Sequence, residues 1–390
     1  HIVAPPKMRI MKFGAGTSLT PLPDIVSFRR GDQPWEAIPD DLPSANVSRY
    51  FARIVRDGLN VPVGIVHVAV SGTNQAAWMA RPVLETFPGG GDHANFYESF
   101  FAGMDARLAK GNAPFKSFAE FKKIEAEWLK DPKGAWPGRR HGLVLYDFPS
   151  ALYNTRIHPV APFAMRGVIW HQGEGGPGGP YGARLVAMAR QWREIFGQDL
   201  YFIWGTLSRD SRNDPPLQPK MNWFYRSSTN NQIRKALDLF GDDDRVALVE
   251  IYDLGDHGTH FMQKAEAGRR YAFAALDVAY DQPHLYTGPR ATDIDIDGAK
   301  ATVTFTHVGE GLTYKPSIDG ISGIIIQGKA GPMRWANVKP LDKHTIEISH
   351  PDVDQIATIA YGKNRNPHET LFNSEGLPAS PFAVNPGRIP

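Results

Sequence analysis

The chain has 390 residues, 42% hydrophobic and 22% charged, the balance of a folded globular protein with room for two domains. Lys plus Arg number 43 against 41 Asp plus Glu, and no long basic block occurs, so nucleic-acid binding has no electrostatic source. With no cysteine there is no disulfide, thiolate nucleophile or cysteine-ligated metal, and no apolar run reaches the length that spans a bilayer.

In chain order, Val47–Leu59 carries apolar residues at helical spacing and ends at Gly58-Leu59. Val61–Val70 reads as a buried strand closed by Ser71-Gly72-Thr73. Residues 88–140, with Gly89-Gly90-Gly91 and the amphipathic stretch Phe118–Leu129, read as an insertion capping the sheet. Met165–His171 is a second buried strand, followed by a glycine-rich loop over 173–182. Arg184–Phe196 reads as a helix stopped by Gly197, Leu200–Trp204 and Val246–Ile251 as strands, and Phe261–Leu276 as a helix. Strand, loop and helix in repetition imply a mostly parallel sheet with helices on both faces, whose ligands bind beyond the carboxyl ends of the strands. The loops beginning at Ser71, Gln172 and Asp253 are therefore expected to converge on one cleft. From about residue 289 the pattern alternates: Asp293–Phe305 surrounds an Asp297-Gly298 turn, and Ile321–Ile326, Thr345–Ile348 and Ala357–Tyr361 follow as short strands. The expected division is 1–288 for an α/β domain and 289–390 for a small all-β module.

Chemistry is concentrated in three places. A glycine such as Gly72 lets a backbone N–H approach an oxyanion, and Asn74 could add a second donor; an ordinary turn is the alternative. Gln172 and Glu174, directly after a buried strand, need partners or a ligand, and no Gly-Lys-Ser/Thr follows to make a phosphate loop. Asp253, Asp256, His257 and His260 place two carboxylates and two imidazoles within eight residues, suited to a histidine base steadied by a carboxylate, or to a divalent metal with His171 as third ligand. Asp242-Asp243-Asp244 reads as a solvated turn, since the spacing of a calcium loop is missing.

Several blocks together resemble the sialate O-acetylesterase family of SGNH hydrolases. They are Val61–Thr73 with Ala77-Trp78-Met79, Leu152–Pro159, Arg166–Glu174, Asp253–Asp256 with His260 and Gly268-Arg269-Arg270, and Asn373–Phe382. The resemblance implies a three-layer α/β fold and a serine hydrolase that removes acetyl esters from sugars or sialic acid without a cofactor or metal, in a periplasmic or secreted setting. It makes His260 the base, Asp256 its supporting carboxylate and Gly72 the oxyanion-hole glycine, with Gln172-Gly173-Glu174 as the third loop of the site.

The chain also departs from the family. The nucleophile motif Gly-Gln-Ser-Asn is absent, Gly175-Gly176 stand where Ser-Asn is usual, and Gly258 replaces the aspartate near the histidine. Three expectations follow. The serine lies upstream, on a preceding or separate N-terminal fragment; or the chain is a non-hydrolytic glycan-binding relative; or Ser71 has become the nucleophile. Trp78, Trp136 and Trp204 are open as sugar platforms or as core.

Overall fold

The computed structural model describes residues 7–14, 16–25, 34–41, 46–87, 103–106, 108–110, 115–131, 137, 148–174, 179–209, 218–221, 225–255, 258, 260–317, 320–363 and 367–384. Helices and parallel strands alternate as far as Tyr280, and strands alone form the regular structure from Arg290 on.

The strands of the first part are β1 (Met8–Lys12), β2 (Trp35–Ala37), β3 (Val63–His67), β4 (Gly167–Trp170), β5 (Tyr201–Gly205) and β6 (Val246–Val249). One mostly parallel sheet was expected; the hydrogen bonds instead define two sheets of three, ordered β2-β1-β3 and β4-β5-β6. All pairings are parallel except that of β2, which runs antiparallel to β1. The split falls between β3 and β4, which do not pair, although the loops that leave them are joined by a hydrogen bond from Gln172 to the Thr73 carbonyl.

Helix α1 (Val47–Leu59) shows why the local sequence folds as it does. Asn46 caps its first turn, its side chain accepting from the Arg49 N–H at 3.1 Å, and Asn60 closes it in the left-handed region, its N–H donating to the Arg56 carbonyl at 2.7 Å. The same chain carries α2 (Arg81–Thr86), α3 (Phe118–Trp128), α4 (Tyr181–Phe196), α5 (Tyr225–Phe240) and α6 (Lys264–Tyr280). On one side α1 and α6 pack together, with α1 against β3 and α6 against β5 and β6. Val55, Ile203, Val249, Leu254 and Tyr271 form their common core, and Val63 and Ile169 pack against it. On the other side Trp78, Trp170 and Trp192, the last supplied by α4, stand edge to face at 5.8 and 5.9 Å. Trp78 and Trp204 are thus core residues, buried to 3% and 0% exposure, and not open platforms; Trp136 lies outside the described residues.

Most of the expected insertion over 88–140 also lies outside the described residues. Within it, α3 starts at Ser117, whose hydroxyl accepts from the Glu120 N–H at 3.2 Å, and buries Phe118 and Phe121 in the tryptophan-bearing core.

The C-terminal strands are β7 (Arg290–Asp297), β8 (Lys300–Thr306), β9 (Thr313–Tyr314), β10 (Ile324–Gly328), β11 (Arg334–Trp335), β12 (Asn337–Pro340), β13 (Thr345–Ser349), β14 (Ile356–Tyr361), β15 (Leu371–Phe372) and β16 (Phe382–Val384). The expected hairpin is β7–β8, turning through Gly298-Ala299. Two antiparallel four-stranded sheets, β11-β10-β14-β16 and β12-β13-β8-β7, enclose Val303, Phe305, Ile324, Ile346 and Ile359. Alternation sends Ile325 to the other face of β10, where it packs on Met221 of the α/β part.

Candidate active site

The exits of β3 and β4 are tied directly. Gln172 Nε2 donates to the Thr73 carbonyl at 2.7 Å, and the buried Tyr181 hydroxyl lies 2.8 Å from both Gln172 Oε1 and the Gln172 carbonyl, donating to one of them while accepting from Trp170 Nε1 at 3.2 Å. Burial raises the Tyr181 phenol far above its ordinary range, so it stays a neutral donor. Gln172 is therefore a tie between two loops. Thr73 is held in turn, its hydroxyl donating to the Val70 carbonyl at 3.0 Å and accepting from Trp78 Nε1 at 3.1 Å.

Beside this tie, Ser71 and Gly72 are exposed. Gly72 has φ +72°, and a Cβ there would meet no atom within 4 Å, so the backbone angle and not crowding explains the glycine. Asn74 is half-buried, and its side-chain oxygen accepts from the Ala77 N–H at 3.1 Å, capping the short helix over Gln75–Trp78. Its oxygen thus serves the fold.

Next along the β4 loop, His171 Nε2 lies 2.8 Å from Glu174 Oε1, each side chain about a quarter exposed. Burial on its own would raise the Glu174 carboxyl; the hydrogen bond and charge of His171, a backbone N–H and the Arg226 charge together hold it at about 2. The second imidazole nitrogen, Nδ1, lies 3.4 Å from the Tyr271 hydroxyl, and the Phe261 ring stands edge-on to the imidazole at 5.8 Å. Arg226 is itself buried, donating to the Ser208 carbonyl at 2.9 Å.

Phe261 brings the third loop to the same rim, and its chain neighbour His260 is exposed, with no hydrogen bond from any described residue. Asp256 and His257 lie outside the described residues. Asp253 does not reach the cleft: its carboxylate is held by Arg270 at 2.6 and 2.7 Å, and Arg270 also pairs with Glu266 at 2.7 Å. The reason is packing, since α6 places Arg270 beneath the loop with 3% exposure. Asp243 is likewise not a solvated turn residue; it pairs with Arg193 and Arg245. Among the described residues no three His, Asp or Glu side chains gather as metal ligands.

The structure thus brings Gly72, Gln172 and Glu174 together with His171, and sets Phe261 against them. Sequence reasoning missed Tyr181, Tyr271 and Arg226. Pro180 was a usable signal for the first, because proline favours a helix start; nothing marked the other two.

Chemically, the rim offers an exposed backbone turn, an imidazole–carboxylate pair able to hold and orient a proton, and a second, solvent-facing imidazole. No family model matches the chain. Sialate O-acetylesterases of Pongo abelii and Homo sapiens are 25% and 24% identical to it over alignments of 224 residues, covering 47% of this chain and 40% of each relative's length. The chain therefore corresponds to well under half of those relatives. A carbohydrate acetylesterase from Xanthomonas citri superposes with a TM-score of 0.71 at 24% identity, over 97% of this chain and 73% of that one. The sequence resemblance to sialate O-acetylesterases is thereby shown, and the fold is shared with that acetylesterase.

Proposed function

We propose that the protein is a carbohydrate O-acetylesterase, hydrolysing acetyl esters on sugars or sialic acids. The observation that carries this reading is the Gln172–Thr73 hydrogen bond, which joins the loop bearing Gly72 to the loop bearing the His171–Glu174 pair. Relatives named for acetyl-ester hydrolysis support the substrate class.

In this reading the Gly72 turn, with the Asn74 amide, holds the developing oxyanion, and Gln172 fixes the spacing of the two loops. His260 takes the proton of the attacking hydroxyl and returns it to the leaving sugar oxygen, with Asp256 as its supporting carboxylate. Glu174 holds His171 in place, so that the polar wall of the cleft keeps one orientation. Ser71, exposed beside Gly72, is the candidate nucleophile within the chain.

The test is acetate release from acetylated sialic acid, acetylated xylo-oligosaccharide and p-nitrophenyl acetate, with His260→Ala and Ser71→Ala alongside. Loss of the base should lower the rate by roughly 10²–10⁴-fold. Equal rates in parent and His260→Ala would defeat the assignment of the base.

A second reading, glycan binding without hydrolysis, is favoured by the sequence: Gly175-Gly176 stand where the family it resembles has Ser-Asn, and Gly258 where it has an aspartate. It predicts saturable heat of binding for an acetylated glycan with no acetate formed.

A further inference from the structure

We propose that the cavity where the loop after β5 meets α5 and the β sandwich is an oxyanion-binding site. It takes a phosphate, sulfate or carboxylate group on donors of Ser208, Arg209 and Asn231, in the field of Arg226 and Arg234. The inference does not rest on the esterase reading.

The cavity has about 350 Å³ of empty space, its mouth included, and lies beyond the carboxyl end of β5, where parallel sheets hold their ligands. Leu207, Ser208 and Arg209 form one wall, the first turns of α5 a second, and Gly362, Pro367 and Pro381 of the sandwich a third. The enclosed part is small, suited to an ion or an ionised group and not to a sugar ring. Three guanidinium groups line it, those of Arg209, Arg226 and Arg234, and among the described residues no carboxylate does. The wall is rigid on the β5 side, because Asn230 of α5 bonds both the N–H and the carbonyl of Leu207 at 2.6 and 2.9 Å.

Fastening the two parts of the molecule explains some of these charges. Arg234 grips Glu250 through Nε and Nη2 at 2.6 and 2.8 Å, and Arg209 Nη1 holds Glu369. It does not explain the donors left over. Arg209 Nε reaches the Gly255 carbonyl at 3.0 Å, whereas Nη2 makes no hydrogen bond with a described residue. Ser208 lines the cavity at 1% exposure, and its hydroxyl likewise has no hydrogen bond with a described residue. The Asn231 oxygen accepts from Arg234 Nη1 at 3.3 Å and from Lys363 Nζ at 3.0 Å, which leaves its amide N–H₂ as a further donor. Four cations, Arg209, Arg226, Arg234 and Lys363, thus share Glu250 and Glu369, with Glu174 beyond Arg226. Glu369 brings less than a full charge near neutrality, since burial raises its carboxyl to about 7. Burial first, then the charges of Arg234 and Lys235, push Lys363 down to about 8, as expected where negative charge is short. A guanidinium edge, a hydroxyl and an amide, all donors, match a group that only accepts, which is what an oxyanion is.

The probes are inorganic phosphate, sulfate and glucuronate, with glucose as the uncharged control, titrated into the intact 390-residue chain at an ionic strength held constant with sodium chloride. Calorimetry should show one site per chain for at least one of the anions and none for glucose. Saturation should raise the melting temperature by about 2–5 °C. Phosphate and sulfate binding ahead of glucuronate identifies a free ion as the occupant; glucuronate binding ahead of both identifies an acidic group carried on a sugar. Ser208→Ala removes one donor and should weaken binding about 3–10-fold. Ser227 also lines the cavity, and Ser227→Glu tethers a carboxylate there. That variant should melt above the parent and lose its response to the anion. His260→Ala should bind as the parent does. No binding above the chloride background, glucose binding as well as glucuronate, or affinity unchanged in both serine variants would overturn the site. Loss of binding in His260→Ala would move the anion to the candidate active site and overturn the proposal equally. Acetate release is not among these readouts, so the oxyanion site and the esterase reading fail separately.

Discussion

At the scale of single residues, the pairing of Glu174 with His171 makes a statement about acid stability. The carboxyl is held at about 2, below its ordinary 4.5, because the imidazole, a backbone N–H and the Arg226 charge outweigh burial. A carboxyl depressed in the folded state contributes stability that is fully present above the unfolded value and is lost as pH falls through the folded one. The window is therefore about pH 4.5 down to about 2. Glu174→Gln keeps the shape and removes the ionisation, so thermal melts of parent and variant should differ by roughly 1–3 kcal/mol at pH 6 and converge toward pH 2. A difference that stays constant across that range would mean that the pair is not charge-assisted. The same scale explains why Asp253, prominent in the sequence beside His257 and His260, has no part in the cleft. A buried arginine needs carboxylates, and Arg270 takes Asp253 and Glu266 together.

At the scale of elements, the crossing of α1 and α6 depends on one missing side chain. A Cβ on Gly268 would come within 2.5 Å of Tyr50 Cβ and 2.9 Å of the Val47 carbonyl, so the two helices approach backbone to backbone there. Gly268→Ala gains helix propensity of about 1 kcal/mol but forces the crossing apart, and the expected net effect is a loss of about 1–3 kcal/mol in urea unfolding. An unchanged or raised midpoint would show that the helices can slide without cost. The elements readable beforehand were those whose burial is written in apolar runs. α1 has its expected bounds, and β3, β4, β5 and β6 fall within or beside the expected runs. α5 was not readable, for a physical reason. The residues it buries in its first half are Arg226, Thr229 and Asn230, and Asn230 bonds both the N–H and the carbonyl of Leu207, so its inward face looks like a loop in sequence. The convergence of the loops after β3 and β4 was legible from strand direction alone. The tie that holds them was not, because Tyr181 reaches Gln172 from the first turn of a helix whose sequence signal starts only at Arg184.

At the scale of the whole molecule, the β sandwich is fastened to the α/β part through charges that its burial makes expensive. Arg209 Nη1 lies 2.7 Å from both carboxylate oxygens of Glu369, Tyr252 donates to the Ala379 carbonyl at 2.7 Å, and Ser380 donates to Glu250 at 3.1 Å. Burial, aided by the nearby Asp253 charge, pushes the Glu369 carboxyl up to about 7 in spite of Arg209. The sign is opposite to that of Glu174. A carboxyl raised in the folded state contributes stability that is complete below its unfolded value near 4.5 and is lost as pH rises through about 7. Lys363, beside Asn231 and pushed down to about 8 mainly by burial, keeps its charge through most of that window and does not cancel the effect. Glu369→Gln holds a neutral side chain at the same place, while Arg209 retains the carbonyls of Gly255 and Pro367 at 3.0 and 3.4 Å. The variant should therefore melt above the parent at pH 8, by a margin of roughly 1–3 kcal/mol, and at the same temperature near pH 4.5. A variant that melts lower at pH 8 would mean that the Arg209 ion pair outweighs the burial of its carboxylate, and that charge, not its removal, fastens the two parts.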